Sequence, residues 1–258
     1  MADTILRLEQ VTKKFEGLVA VDKLTIEMKT RTIHSLIGPN GSGKSTSINM
    51  INGTFPPTSG KIFYQDEDIT GLPTYKIARK GLGRTFQNLK VFSSMSALEN
   101  LMAGRDLCAK QNFMQFLLNP GAARREEKEI REKADAILNY IGLYDQRNML
   151  AKNLPYGRQK LLELGRALMI EPKLLLLDEP AAGLNPTERA DFINTLLRVF
   201  EDGVDLFLIE HNMDVVMNIS NIVTVINFGA KIAEGTPAEV QAHPDVIKAY
   251  LGERYKTR

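Results

Sequence analysis

The chain has 258 residues, 43% apolar and 25% charged, with a formal charge of +2 and a single cysteine. That length buries a full core, as one large domain or two small ones, and the composition favours neither disorder nor a fibrous repeat. The near-neutral charge argues against nucleic acid or anionic lipid as the main partner, and a lone Cys108 excludes an internal disulfide and fits a reducing compartment.

The first residues, MADTILRLEQVTKKF, carry Asp3 and Glu9 and hold no apolar stretch long enough for a signal peptide. Apolar runs such as LLLL at 174–177 fall far short of the roughly 20 residues that span a membrane. The chain is therefore expected in the cytoplasm, serving any membrane from outside the bilayer. LRLEQV (6–11), LTIEM (24–28) and IHSLI (33–37) read as strands separated by turn residues. A Gly-rich loop at 38–43, a helix near 44–53, turn chemistry in TFPPTSG and a strand at KIFY (61–64) follow.

From about 95 to 153 the pattern turns helical. In RREEKEIREKADAILNYI, Ile130, Ala134, Ile137 and Ile141 share one face and charges occupy the rest, the pattern of an amphipathic surface helix. LPYGRQ (154–159) then opens another helix, and KLLLLDEP is a short continuous apolar run suited to a strand buried on both faces. A helix (187–201), the buried strand VDLFLIEH, a helix near 213–219 and the strand NIVTVINFG complete the alternation. Strands alternating with helices imply a largely parallel sheet into which the stretch at 95–153 is inserted.

Two motifs carry chemistry. GPNGSGKST runs through Gly38, Pro39, Asn40, Gly41, Ser42, Gly43, Lys44, Ser45 and Thr46, and matches the phosphate-loop pattern G-x-x-x-x-G-K-[ST]. Glycines let successive N–H groups curl into a nest for anionic oxygens, and the following helix offers its N-terminus to the same phosphates. Lys44 supplies a point charge and Ser45 a hydroxyl for Mg²⁺. The strand before and the helix after give this motif its required context. LLLLDEP places Asp178 and Glu179 at the C-terminal end of a buried strand, the edge where open α/β sheets bind ligands. Adjacent carboxylates project to opposite sides of an extended chain, so one can serve Mg²⁺ and the other can poise a water for attack on a γ-phosphate. Alone, Asp-Glu-Pro after a strand is a common solvated loop. Paired with a phosphate loop it reads as the second anchor of a nucleotide site.

The order of the pieces, a phosphate loop, Gln87 in GRTFQN, a helical insertion, LPYGRQ, LLLLDEP, AAGLNP and His211 after FLIEH, resembles that of the ATP-binding cassette (ABC) ATPases over essentially the whole chain. The resemblance implies an α/β P-loop NTPase (RecA-like) core with an N-terminal antiparallel β subdomain and an inserted α-helical subdomain. Residues 1–94 and 155–230 would form the nucleotide-binding core, 95–154 the helical subdomain with the signature at its end, and 231–258 a C-terminal tail. Phe15 would stack on adenine, Gln87 would contact Mg²⁺ or the attacking water, Asp178 would serve Mg²⁺, Glu179 would act as general base and His211 would reach the γ-phosphate. Leu154, Pro155, Tyr156, Gly157 and Arg158, with Gln159 next, align with the family's LSGGQ signature. In head-to-tail dimers that signature acts on the partner's ATP. Gly183, Leu184 and Asn185 fall in the dimer-contact loop, with Asn185 where many members have Asp. Pro155 replaces the usual serine and brings neither hydroxyl nor N–H, and Arg158 adds a charge where the family has a neutral amide.

FEGLVAVDKL, GRTFQNLKVFSSMSALENLMAG, DEPAAGLNP, LIEHNMDVVMNIS and EGTPAEVQAHPDVIKAYLGE are together similar to the larger ATP-binding subunit of high-affinity branched-chain amino acid importers. The resemblance implies Mg²⁺-dependent ATP hydrolysis at the cytoplasmic face of the cell membrane. It implies as partners membrane-spanning permease subunits, a second ABC ATPase subunit (paralogue or self) and, indirectly, an extracytoplasmic solute-binding protein, with no nucleic acid. A urea or amide importer, a lipopolysaccharide exporter and a non-transport nucleotide switch remain as alternatives. NLKVFSSMSALENL (88–101) is expected to dock the permease, or else to be helical core. His34 and His243 match no motif.

Overall fold

The computed structural model describes residues 3–85, 89–105 and 120–254. Strands β1 (Thr4–Phe15) and β2 (Leu18–Lys29) form a long hairpin, extended at both ends beyond the apolar cores of LRLEQV and LTIEM. Period-2 spacing puts Leu24, Ile26 and Met28 of β2 on one face, against Leu6, Leu8 and Val11 of β1. β4 (Ser59–Tyr64) and the short β5 (Glu67–Asp68) complete an antiparallel sheet in the order β2-β1-β4-β5.

The second sheet has six strands. β3 (Ile33–Ile37), β6 (Leu82–Arg84), β7 (Leu174–Asp178), β8 (Asp205–Ile209), β9 (Ile222–Asn227) and β10 (Ala230–Gly235) line up as β10-β9-β3-β8-β7-β6. Five are parallel, and β10 pairs antiparallel with β9 at one edge. Neither β6 nor β10 is marked by a strand pattern in the sequence. β6 is three residues long, too short to establish a period, and β10 is half-exposed and rich in charge. Helix α1 (Lys44–Ile51) follows β3, and α2 (Thr74–Arg79), also unforeseen, is a short helix before β6.

β7 is buried along its whole length because it has a core on each side. Leu174 and Leu176 join Phe207 and Ile209 of β8 against α1 and the antiparallel sheet. Leu175 and Leu177 join Leu206 and Leu208 against the helices that follow. Those helices are α3 (Ala97–Arg105), α4 (Pro120–Tyr140), α5 (Tyr156–Leu168) and α6 (Pro186–Glu201). α4 buries Ala134 and Leu138 fully and packs Ile130 and Ile137 partly, as its periodicity predicts. Residues 144–153 contain two 3₁₀ turns, Tyr144–Gln146 and Ala151–Asn153, where a uniform helical stretch was expected. α7 (Met213–Ile219), α8 (Pro237–Ala242) and α9 (Pro244–Arg254) lie toward the C-terminus, where Val240 and Val246 pack with Val223 and Val225 of β9.

Asn100 on α3 is fully buried and organises the loop before its own helix. Its Oδ1 accepts the Phe92 N–H at 2.8 Å, and its Nδ2 lies 2.9–3.3 Å from the carbonyls of Phe92, Met95 and Ser96. Leaving such groups buried without partners costs about 1–3 kcal/mol. Asn100→Ala is therefore expected to lower the urea-unfolding free energy by about 2 kcal/mol with the denaturant slope unchanged, and an unaltered midpoint would refute this role.

Candidate functional site

The phosphate loop joins β3 to α1. Gly43 has a φ of +103°, and a Cβ there would lie 2.4 Å from the Ala20 carbonyl oxygen, so only glycine fits both the turn and the wall behind it. Ser42 O accepts the Gly229 N–H, which ties the loop to the β9–β10 turn. No side chain caps α1 and its first turn holds no acid, so its N-terminal N–H groups and positive dipole end are not opposed by a local carboxylate. Lys44 is buried and folds back over the loop, donating to the carbonyls of Gly38 (2.7 Å) and Pro39 (2.9 Å). Asn40, Gly41 and Ser45 are exposed at the rim, while Thr46 is half-buried.

β7 runs parallel to β3 with only β8 between them, so Asp178 emerges at the same sheet edge as the loop. Asp178 is buried. Burial pushes its carboxyl above the usual carboxylate range, and the Arg84 guanidinium, 3.3 Å away, opposes that shift. Asp178 Oδ1 accepts no hydrogen bond, and this orphaned acceptor fits a hydrated cation. Among the described residues no cluster of three or more His, Cys, Asp or Glu gathers. A Mg²⁺ here would be completed by phosphates and water, as its coordination habit favours.

Glu179 takes a left-handed φ of +48°, a strained conformation for a non-glycine residue, held by its N–H donating to Ile209 O at 2.8 Å. Its Oε2 lies 3.6 Å from His211 Nδ1, so two sequence-predicted residues meet. Glu210, unremarked in the sequence, builds this corner. Its Oε1 accepts the Ala181 N–H at 3.0 Å, and its Oε2 accepts the N–H groups of His211 (3.2 Å) and Asn212 (3.3 Å). One buried carboxylate thus clasps the loops leaving β7 and β8. Arg84 was missed too. The signals were there: a lone charge ending each apolar run, in GLGR and in FLIE.

LPYGRQ starts α5 as expected, with Pro155 as an N-cap that forms no side-chain bond. Gln159 Nε2 donates to Leu154 O at 2.8 Å, and Arg158 Nη1 donates to Gly142 O at 3.0 Å beyond the end of α4, so the extra charge is engaged within the chain. A Cβ on Gly157 would lie 2.8 Å from Glu188 Oε1, and one on Gly183 would lie 3.0 Å from the Tyr156 ring. The signature and the 183–185 loop are therefore neighbours, with Pro155, Tyr156, Gly183 and Asn185 exposed and Leu184 buried. Asn185 caps α6 in a reciprocal pair with Glu188, accepting its N–H at 3.0 Å and donating its own at 3.1 Å. Lys160, on the buried face of α5, was not foreseen. Burial pushes its ammonium below the usual lysine range, and the carboxylates of Glu163, Glu210, Glu179 and Asp178 pull it back.

Phe15 is half-exposed at the hairpin tip, edge-on to Phe55 with centroids 5.5 Å apart, and Lys13 Nζ lies 5.1 Å from its ring centre. Gln87 and Cys108 lie outside the described residues. His34 is buried, with Nε2 2.8 Å from Thr224 Oγ1, and burial pushes its pKa down to about 4. Beside the site, a groove of about 580 Å³ runs between β6 and α5, lined by Arg84, Val91, Phe92, Glu163 and Arg166. The Glu210 clasp makes a prediction. Hydrogen bonds to charged groups contribute about 1.5–3 kcal/mol each. Glu210→Ala should destabilise the protein by about 3 kcal/mol in denaturant titrations and lower any nucleotide turnover, whereas native stability and turnover would show that the clasp does not organise the corner.

A family model described as ABC transporter matches residues 21–182, and one described as branched-chain amino acid ATP-binding cassette transporter matches residues 230–256. The chain is 44% identical over 254 residues to the high-affinity branched-chain amino acid transport ATP-binding protein BraF of Pseudomonas aeruginosa, covering 98% of this chain and all of the relative. It is 40% identical to LivG of Escherichia coli K12, with the same coverage. Among solved structures, a nucleotide-free ATP-binding cassette from an ABC transporter superposes with a TM-score of 0.84 at 33% identity, covering 96% of this chain and 98% of that one. A cassette in its ADP conformation superposes with a TM-score of 0.83 at 34% identity, covering 96% and 99%. With the phosphate loop, the Asp-Glu strand end and the signature helix already in one framework, these matches place the chain in the ABC transporter family, as an ATP-binding subunit related to the branched-chain amino acid transport proteins.

Proposed function

We propose that this chain is the ATP-hydrolysing subunit that powers import of branched-chain amino acids, held at the cytoplasmic face of a membrane by permease subunits. The observation that carries the nucleotide reading is the convergence at one sheet edge of the phosphate loop, the orphaned Asp178 oxygen and the Glu179–His211 pair. The substrate follows from the names of the relatives and from the C-terminal match. Among the described residues no helix is long and apolar enough to cross a membrane.

In this reading the loop residues 38–46 wrap the phosphates, and Lys44 trades its carbonyl partners for β- and γ-phosphate oxygens. Ser45 and Asp178, with Gln87, would hold Mg²⁺, which would supply charge neutralisation for the γ-phosphate. Phe15 stacks on adenine. Glu179 accepts a proton from the attacking water, its strained backbone fixing the carboxylate before substrate arrives. His211 contacts the γ-phosphate. A second cassette, a paralogue or another copy, brings its own signature to this ATP. The exposed surface of Pro155, Tyr156, Gly183 and Asn185 serves the partner's site in return. The groove between β6 and α5 receives the permease, and its apolar Val91 and Phe92 suit a helix from that subunit. Residues 1–94 and 155–230 act as the nucleotide core, 95–154 as the helical subdomain and 231–258 as a tail.

Lys44→Ala removes the point charge on the phosphates, and ATP affinity in an equilibrium binding assay is expected to fall about tenfold or more. Unchanged affinity would count against the loop as the nucleotide site. Glu179→Gln should retain binding, lose about 100-fold or more of the turnover and accumulate an ATP-bound dimer in sizing chromatography. A variant that hydrolyses ATP at the normal rate would remove Glu179 from the general-base role.

A further inference from the structure

Arg84 ends β6 with its guanidinium almost wholly buried, at 7% side-chain exposure. Nη2 donates to Asp178 Oδ2 at 3.3 Å, and Asp178 is itself only 5% exposed. Nη1 donates to Asn49 Oδ1 at 2.8 Å. Asn49 stands four residues after Ser45 on α1, one turn along the same helix face. One fork therefore joins the helix that carries the candidate metal hydroxyl to the carboxylate at the end of β7. The same residue lines the groove between β6 and α5.

Resting on the reading of Asp178 as a metal-binding carboxylate, we propose that Arg84 is a built-in counter-cation for Asp178. It competes with the divalent metal, and metal–nucleotide loading loosens its guanidinium in the groove wall. Two side chains so withdrawn from water feel little screening, so a dication brought to Asp178, directly or through its water shell, repels the neighbouring guanidinium strongly. Once Asp178 is shared with metal, the contact to the neutral Asn49 amide is a weaker hold than the ion pair it replaces. The guanidinium then relaxes where Val91 and Phe92 also lie, giving a short physical path from the metal to the surface proposed for the permease. The coupling is reciprocal: an occupant of the groove that draws Arg84 away from Asp178 raises metal affinity.

The test uses the full-length chain loaded with a non-hydrolysable ATP analogue. Mn²⁺ stands in for Mg²⁺, and free Mn²⁺ is counted by electron paramagnetic resonance. Arg84→Gln, which removes the charge, is expected to bind Mn²⁺ about tenfold more tightly than the unaltered chain, within the usual range of site-to-site coupling. Arg84→Lys, a shorter cation that cannot fork, should fall between the two, and it decides the question if the Gln variant does not fold. A fork that served only to tie β6 to α1 and β7 would lower the melting temperature of the metal-free variants and leave Mn²⁺ affinity unchanged or weaker, which would overturn the proposal. Asp178→Asn separates the two readings. If it leaves Mn²⁺ affinity intact, the metal role of Asp178 itself fails; if it abolishes Mn²⁺ binding while the Arg84 variants bind like the unaltered chain, only the competition fails.

Discussion

Four leucines of β7 divide their side chains between two cores, Leu174 and Leu176 on one side and Leu175 and Leu177 on the other. A strand clad on both faces keeps only its ends for chemistry, and a parallel neighbour two places away must end at the same edge. This constraint sets Asp178 and Glu179 beside the loop that follows β3. Nothing in the loop itself determines that meeting. It follows from apolar burial, which is non-directional, acting through a sheet whose hydrogen bonds are directional.

Charge enters this buried edge as a set of mutually dependent groups. Asp178 is paired with Arg84, Glu210 accepts three backbone N–H groups, and Lys160 brings a cation from α5 toward the same carboxylates. Removing one member of such a set leaves the others buried without compensation, so single changes are costly. Glu179 is the contrasting case, strained in its backbone and only partly buried. Its strain is sustained because the Ile209 carbonyl and the Glu210 clasp over-determine the surrounding chain.

The signature segment obeys the same economy of space. Glu188 approaches Gly157 closely and Tyr156 lies flush with Gly183, so the signature turn and the loop before α6 form one surface. Pro155 and Arg158 depart from the commoner family pattern without disturbing this arrangement: the first caps a helix and the second braces the end of α4. Asn185 caps as well as an aspartate does, since either side chain can accept the N3 N–H.

Much of this was legible in the residues. Phosphate-loop glycines, a leucine run ending in two acids and helical periodicity at 124–141 are local patterns, and local patterns reflect backbone sterics and the side-chain period directly. The sequence alone thus determined the nucleotide motifs, the parallel core and the identity of the candidate Asp178, Glu179 and Lys44. The short β6, the half-exposed β10 and the 3₁₀ turns escaped because elements of a few residues carry no period. Arg84, Glu210 and Lys160 escaped for another reason. A charged side chain acquires its role from the partners that folding delivers, and Arg84 finds Asp178 only across a separation of 94 residues. Tertiary structure alone decided those pairings, because burial turns an ordinary surface charge into one that must be neutralised by whatever the sheet brings alongside it.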